Sequence, residues 1–218
     1  LFNHVETQPL PTLSRETVDG KRMYLTESGL KYPSVTTVLG ARNIESIMEW
    51  RKRVGEKKAN AISTRASTRG TKIHGFCEKY LCNESVDTQE LNLVEQDMWN
   101  DFKPVLDRID NIQHIESFLY SDHLRMAGQV DCIAELDGKP TIIDFKTSSK
   151  PKYKSQIASY FAQCAAYAIM YEERTGIAIN RTAVLISVQG EQPQVYIEKR
   201  DNYVDYLIES RDLYESKQ

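Results

Sequence analysis

The chain has 218 residues, with 28 Lys and Arg against 31 Asp and Glu (net charge −3); 40% of residues are hydrophobic and 27% charged. That balance suits one large globular domain or two small ones, and it excludes intrinsic disorder, collagen-like repeats and a disulfide-knotted miniprotein. It also excludes a protein that coats nucleic acid by bulk positive charge. No stretch approaches the ~18 apolar residues that span a bilayer. The opening LFNHVETQPLPT has neither the basic nor the apolar region of a secretory signal. A cytoplasmic protein without a membrane partner is therefore expected.

In chain order, the first thirty residues are irregular, broken by Pro9, Pro11, Gly20 and Gly29, with one hairpin around Ser28-Gly29 between MYLTE and LKYP. Ser34 is a good N-cap for VTTVL, and a helical pattern continues through Ile44, Ile47, Met48 and Trp50. A second helix fits 68–82 and a third about 91–112, which Pro104 should kink or divide. HIESFLYS, AGQVDCIAEL and KPTIIDFK are three successive β-rich segments. A helix over about 156–174, strands at TAVLISV and QVYIEK, and a helix over 201–215 complete the chain. This order predicts one α/β unit over 1–218: a mixed central β-sheet flanked by helices over 113–218, preceded by an N-terminal helical cap over 1–112.

Charge is unevenly spread. Arg51, Lys52, Arg53, Lys57, Lys58, Arg65, Arg69 and Lys72 meet only Glu56 between 51 and 72, and the five lysines between 139 and 154 meet only Asp144. Two local basic surfaces on an acidic protein fit either a polyanion docked at one place or solvated helix faces. Cys77, Cys82, Cys132 and Cys164 form no C-x-x-C pair and are too scattered for a zinc site, so they read as reduced structural thiols.

The most informative segment is AGQVDCIAELDGKPTIIDFKTS. Asp137-Gly138 between two apolar strands is the signal of a type I′ hairpin, which needs positive φ at both residues. In that register Leu136 faces Lys139, Glu135 faces Pro140 and Asp131 faces Asp144. Pro140 then falls in a non-hydrogen-bonded pair, where its missing N–H costs nothing. The register places Asp131 and Asp144 with Cβ atoms roughly 4.5–5.5 Å apart, and Lys146 on the same face about 6.5 Å along the strand. Two carboxylates so placed repel unless a cation lies between them or one is protonated. Two hard oxygen ligands beside an ammonium describe a Mg²⁺ or Mn²⁺ site with a charge stabiliser; a surface salt-bridge cluster is the alternative. Downstream, Gln163 and Tyr167 share a helix face, as do Gln156 and Tyr160, and could hold a water, a phosphate or Lys146. Gly70, His74 and Glu78 likewise share a face.

Taken together, G-x-x-x-H at Gly70 and His74, G-Q-V-D ending at Asp131, IIDFKTS from Ile142 and Q-x-x-x-Y at Gln163 and Tyr167 resemble the PD-(D/E)XK nuclease superfamily in its RecB-like branch. Within that branch the chain is most similar to the mitochondrial genome maintenance exonuclease family, through PSVTTVL at 33–39 and Trp50-Arg51. The resemblance implies a restriction-endonuclease-like fold and a metal held by Asp131, Asp144, the Phe145 carbonyl and His74. It implies that Lys146 orients or activates water, with Gln163 and Tyr167 positioning Lys146 or a DNA phosphate. Glu78 and Glu116 would be supporting acids, and Arg51, Arg69, Lys72, Thr147, Ser148 and Lys150 would contact DNA. The activity implied is a metal-dependent exonuclease on single-stranded DNA with a free end. A flap endonuclease or a non-catalytic DNA-binding subunit would use the same fold. The cysteines lack the spacing of the iron–sulfur cluster some relatives carry, so none is expected. With no long transit region at the start, a bacterial or phage source is expected.

Overall fold

Two Asp-Gly dipeptides make two tight hairpin turns in the molecule, whose computed structural model describes residues 1–217. The first is Asp19-Gly20, with φ of +51° and +75°. It joins β1 (Ser14–Val18) to β2 (Lys21–Leu25), and a wider turn leads to β3 (Lys31–Pro33). The N-terminal part is thus not an irregular lead to a helical cap but carries a three-stranded antiparallel sheet, β1-β2-β3. The hairpin expected around Ser28-Gly29 is present, pairing Leu25 with Lys31. Buried Tyr24 and Tyr32 pack with Leu13 against Ala127, anchoring this small sheet to the large one.

Ser34 caps α1 (Val35–Gly40), its Oγ accepting from the Thr37 N–H at 3.0 Å. α2 (Ile44–Val54) and α3 (Glu56–Leu81) follow, separated by Gly55 at φ +85°. α3 begins twelve residues before the 68–82 predicted for it. α4 (Leu93–Leu106) opens with a capping box between Asn92 and Glu95. It ends two residues after Pro104, and residues 109–112, expected to be helical, begin a strand instead. Proline leaves one carbonyl of the preceding turn unpaired, and Ile109 and Ile112 gain more by burial in the sheet.

The five-stranded sheet runs β4 (Ile109–Ser121), β5 (Met126–Leu136), β6 (Lys139–Ser148), β7 (Arg181–Val188) and β8 (Gln194–Lys199), in that spatial order. All neighbours are antiparallel except β6 and β7, which are parallel. A parallel pair needs a crossover, and α5 (Ala158–Thr175) supplies it, ending at Gly176 with φ +74°. Ala162, Ala165, Ala166 and Ala168 bring α5 close to one face of the sheet, where Phe161, Met170 and Tyr171 join Val184 and Ile186 in one core. Val35, Val38 and Leu39 of α1, and Leu207 of α6 (Val204–Glu215), join the same core. On the other face Ile73, Phe76 and Cys77 of α3 and Trp99 and Phe102 of α4 pack on Ile143, Phe145, Ala183 and Leu185. Among the described residues no helix is long and apolar enough to cross a membrane.

Candidate active site

Asp137 (φ +54°) and Gly138 (φ +70°) form the predicted turn, and Leu136↔Lys139 through Cys132↔Ile143 keep the predicted register. The ladder stops one pair short of the aspartates. Asp131 Oδ2 instead accepts the backbone N–H of Phe145 at 2.7 Å, and Asp144 turns to other partners. Facing carboxylates repel, and each has found a donor of its own.

On β4, Ile115 pairs with Cys132 and Ser117 with Val130. The position opposite Asp131 is therefore Glu116, which lies outside the regular pairing with φ of +46°. Its carbonyl accepts from Gln129 Nε2 at 2.9 Å. A left-handed, non-glycine residue inside a strand costs on the order of 1–3 kcal/mol, a strain that concentrates at functional sites. Glu116, Asp131 and Asp144 thus form a row of acids across three neighbouring strands. The second turn of the predicted His helix adds His74, whose Nδ1 is 3.7 Å from Asp131 Oδ2. Ligand atoms of His74, Glu116 and Asp131 all lie within 4.8 Å of one another. Glu78 joins them at the mouth, lining with Gly70, His74 and Glu116 a cavity of about 460 Å³.

Asp144 is 1% exposed and held by two donors from its own face of the sheet. Lys146 Nζ donates to Oδ1 at 2.6 Å, and Gln163 Nε2 donates to the same oxygen at 3.0 Å. Oδ2 lies 2.5 Å from the ammonium but outside hydrogen-bond geometry, so it has no hydrogen-bond partner. Burial pushes the Asp144 carboxyl up to about 6, Asp131 adding to the rise and Lys146 opposing it. Glu116 is pushed up to about 8, chiefly by burial and then by Asp131, Glu78 and Asp144. For Lys146, burial favours the neutral amine, but Asp144 and Asp131 outweigh it and raise its pKa. The lysine is therefore a fixed cation here, further covered by the ring of Tyr160 at 5.2 Å.

These residues fit a divalent metal. Crowded carboxylates with one imidazole are the hard donors that Mg²⁺ and Mn²⁺ accept, and Glu116 and Asp144 are raised by burial with neighbouring carboxylates adding to the rise. The structure differs from expectation in which donors meet: Glu116, expected to be a supporting acid, stands with His74 and Asp131, while Asp144 is paired with Lys146. Sequence reasoning could not see Glu116 opposite Asp131, because the loop 122–125 between β4 and β5 fixes no register as an Asp-Gly pair does.

The remaining predicted residues separate. Tyr167 is 3% exposed, with Gln163 against its hydroxyl, and packs where Gly128 leaves room: a Cβ there would sit 2.8 Å from its ring. That position buries the Tyr167 ring behind Gln163. Ser148 is buried and bonded to the backbone of Lys150, whose own side chain is exposed. Thr147 is half-buried beside Gly70. Arg51 pairs with Glu56 and Asn60, and Lys72 Nζ reaches Glu95 Oε2 at 3.0 Å. Arg69 is 8% exposed, Nη1 donating to Gln189 Oε1 at 3.3 Å. Of the cysteines, 77, 132 and 164 are buried and 82 is exposed.

A mixed sheet carrying acids on adjacent strands and a lysine two residues beyond the last defines a class of phosphodiester-cleaving proteins. The sequence pattern of the PD-(D/E)XK nuclease superfamily matches residues 78–212, more than half of the chain, and the chain belongs to that superfamily. Nucleases of that superfamily use divalent metals. The chain is 28% identical over 129 residues to the mitochondrial genome maintenance exonuclease 1 of Homo sapiens, covering 55% of this chain and 38% of that protein. To the Xenopus tropicalis protein of the same name it is 33% identical over 92 residues, covering 41% and 26%. The chain thus spans less than two-fifths of the length of these curated relatives. A solved structure of a candidate exonuclease from Eubacterium rectale overlays with a TM-score of 0.46 at 13% identity, covering 70% of this chain and 65% of that one.

Proposed function

We propose that the chain is a metal-dependent deoxyribonuclease that hydrolyses phosphodiester bonds from a free end of single-stranded DNA. The observation that carries this reading is the Lys146 ammonium clamped on Asp144 beside the Glu116–Asp131–His74 cluster. Bound there by His74, Asp131 and Glu116, with Asp144 within reach, Mg²⁺ or Mn²⁺ would acidify a water and draw charge off the scissile phosphate. Phe145 contributes its backbone. Its N–H fixes the Asp131 carboxylate, and its carbonyl is the further ligand the family resemblance implies.

Lys146 sits where it can orient the attacking water. It donates to that water or to a non-bridging phosphate oxygen and meets the negative charge that grows there. Gln163 and Tyr160 keep it aimed. As the water oxygen bonds phosphorus, the bond to the leaving 3′ or 5′ oxygen breaks, giving a phosphomonoester and a hydroxyl. Arg51, Arg69, Lys72, Thr147 and Lys150 hold the strand's backbone, making binding salt-sensitive and indifferent to sequence. Residues 1–218 act as one nuclease unit, a reading supported by the core that α1, the sheet, α5 and α6 share.

The test is degradation of end-labelled linear and covalently closed circular single-stranded DNA with Mg²⁺, Mn²⁺ or EDTA, beside Lys146→Ala. Metal-dependent loss of the linear strand alone, absent in the variant, is expected. Cutting of the circle would replace the exonuclease by an endonuclease, and no cleavage with binding intact would leave a DNA-binding subunit.

A further inference from the structure

Between the middle of α3 and the start of α4 lies a second cavity, of about 750 Å³, on the far side of Gly70 from the acid row. Its volume falls within the ~300–1,000 Å³ of sites built for small ligands. Arg69 forms its floor. The Arg69 residue is 8% exposed; its guanidinium has one weak hydrogen-bond partner, Gln189, at 3.3 Å, and its Nε is buried with no hydrogen-bond partner. Burying a cation with donors unspent costs free energy unless something completes it. The nearby Glu95 carboxylate attracts it through space but is hydrogen-bonded elsewhere, to Lys72 at 3.0 Å and the Asn92 N–H at 3.0 Å, leaving the Arg69 donors unspent. Arg65, exposed on the preceding turn of α3, adds a further positive charge. The other wall is apolar and open, with Leu93 78% exposed and Val94 43% exposed.

Position ties the cavity to the reaction. Arg69 precedes His74 by five residues, about 7.5 Å along the helix axis. The Gln189 N–H donates to Ser148 O at 2.9 Å, fixing the opposite wall two residues beyond Lys146 on β6.

The geometry points to a subsite for a non-scissile nucleotide of the DNA strand, its phosphate on Arg69 and Arg65 and its sugar and base against Leu93 and Val94. The inference rests on the nuclease reading and adds where the strand is gripped. The phosphate could be an internal diester or a terminal monoester, two sources of one chemistry. A strand in the cavity would supply the hydrogen-bond acceptor that Arg69 Nε lacks, and its passage past Gly70 would lead the next phosphate to the acid row.

The experiment measures binding of fluorescent single-stranded oligonucleotides in EDTA by anisotropy over a range of salt. The oligonucleotides carry 5′-phosphate, 3′-phosphate or hydroxyl ends. Arg69→Gln is expected to weaken binding about tenfold and to lower the log–log salt slope by about 0.7, the loss of one phosphate contact on a single strand. Arg69→Lys should recover part of the affinity and the slope, which a purely structural arginine would not predict. Leu93→Glu, a surface change without folding risk, should weaken binding about fivefold and decides the matter if Arg69→Gln fails to fold. Losses equal on all ends assign an internal phosphate, and losses confined to one phosphorylated end assign a terminal one. Wild-type affinity and slope in folded Arg69→Gln, or in Leu93→Glu, would overturn the subsite while leaving the nuclease standing. Wild-type protein that neither binds nor cuts DNA would remove both.

Discussion

α5 and the first half of α3 are both long stretches of helix, yet they obey opposite rules. α5 buries ten of its residues, with alanines where it meets the sheet and larger side chains on either side. Between Glu56 and Thr68, α3 buries only Ala59, and α2 before it buries nothing. One helix is held by packing; the other holds itself by propensity and spends its surface on lysine and arginine. The contrast separates what keeps the chain folded from what is available to a polyanion.

The sharpest test of that division lies where the two meet. Asp144→Asn and Lys146→Ala should lower cleavage by about 10²–10³-fold or more, while Asp144→Asn keeps or tightens DNA binding because a negative charge leaves a phosphate site. Equal losses of binding and cleavage would give the pair a structural role and erase the distinction. Next comes stability. Phe161→Ala on α5 should cost about 3–5 kcal/mol in denaturant unfolding. Joint replacement of Lys57, Lys58 and Arg65 by Ala should stay within about 0.5 kcal/mol per site and appear in the salt dependence of DNA binding. If those three lower stability as much as Phe161→Ala, the projecting half of α3 is packed after all.

Gly128→Ala tests the seam between packing and chemistry. The new Cβ would press on the Tyr167 ring from 2.8 Å and displace it, and with it Gln163. A cost of about 1–3 kcal/mol is expected, with cleavage falling further than DNA binding. Preserved cleavage would show that Gln163 does not depend on that contact. A further test concerns pH. The Glu116 carboxyl rises from 4.5 to about 8 on folding and Asp144 from 3.8 to about 6. Over those ranges the folded chain holds protons the unfolded chain has released, so stability of the metal-free protein should fall as pH rises toward 8. Glu116→Gln should flatten that fall in thermal unfolding, at roughly 2–4 °C for each kcal/mol recovered. An unchanged slope would place the proton elsewhere.

The same contrast explains what could be read from residues alone. The 68–82 helix expected from periodicity coincides with the part of α3 that packs, where Arg69, Ile73, Phe76 and Cys77 turn inward. In its first twelve residues the apolar side is reduced to Ala59, Ile62 and Ala66, of which only Ala59 is buried. Asp137-Gly138 fixed a register to the residue, whereas the same dipeptide at Asp19-Gly20, flanked by polar strands, passed without notice and with it the N-terminal sheet. Asp144 and Lys146 follow from one strand's alternation. Glu116 required a second register that no short turn specified, and Tyr167's burial depended on the absent side chain of Gly128.

The antiparallel run of β4, β5 and β6 has a consequence for the order of folding. Its pairings are between chain neighbours, whereas β7 can join β6 only after α5 has closed a long loop, and such distant contacts form late. Glu116, Asp131 and Asp144 all lie on the early part, and Gln163 on the late part. Three acids would therefore be gathered before α5 brings Gln163 to Asp144, and their mutual repulsion would oppose the nascent meander. A divalent ion present during refolding should speed protection of the β5–β6 amides in pulsed hydrogen exchange and leave those of β8 unhurried. The ion that serves the reaction would then also act as a counterion to the chain's first steps toward structure.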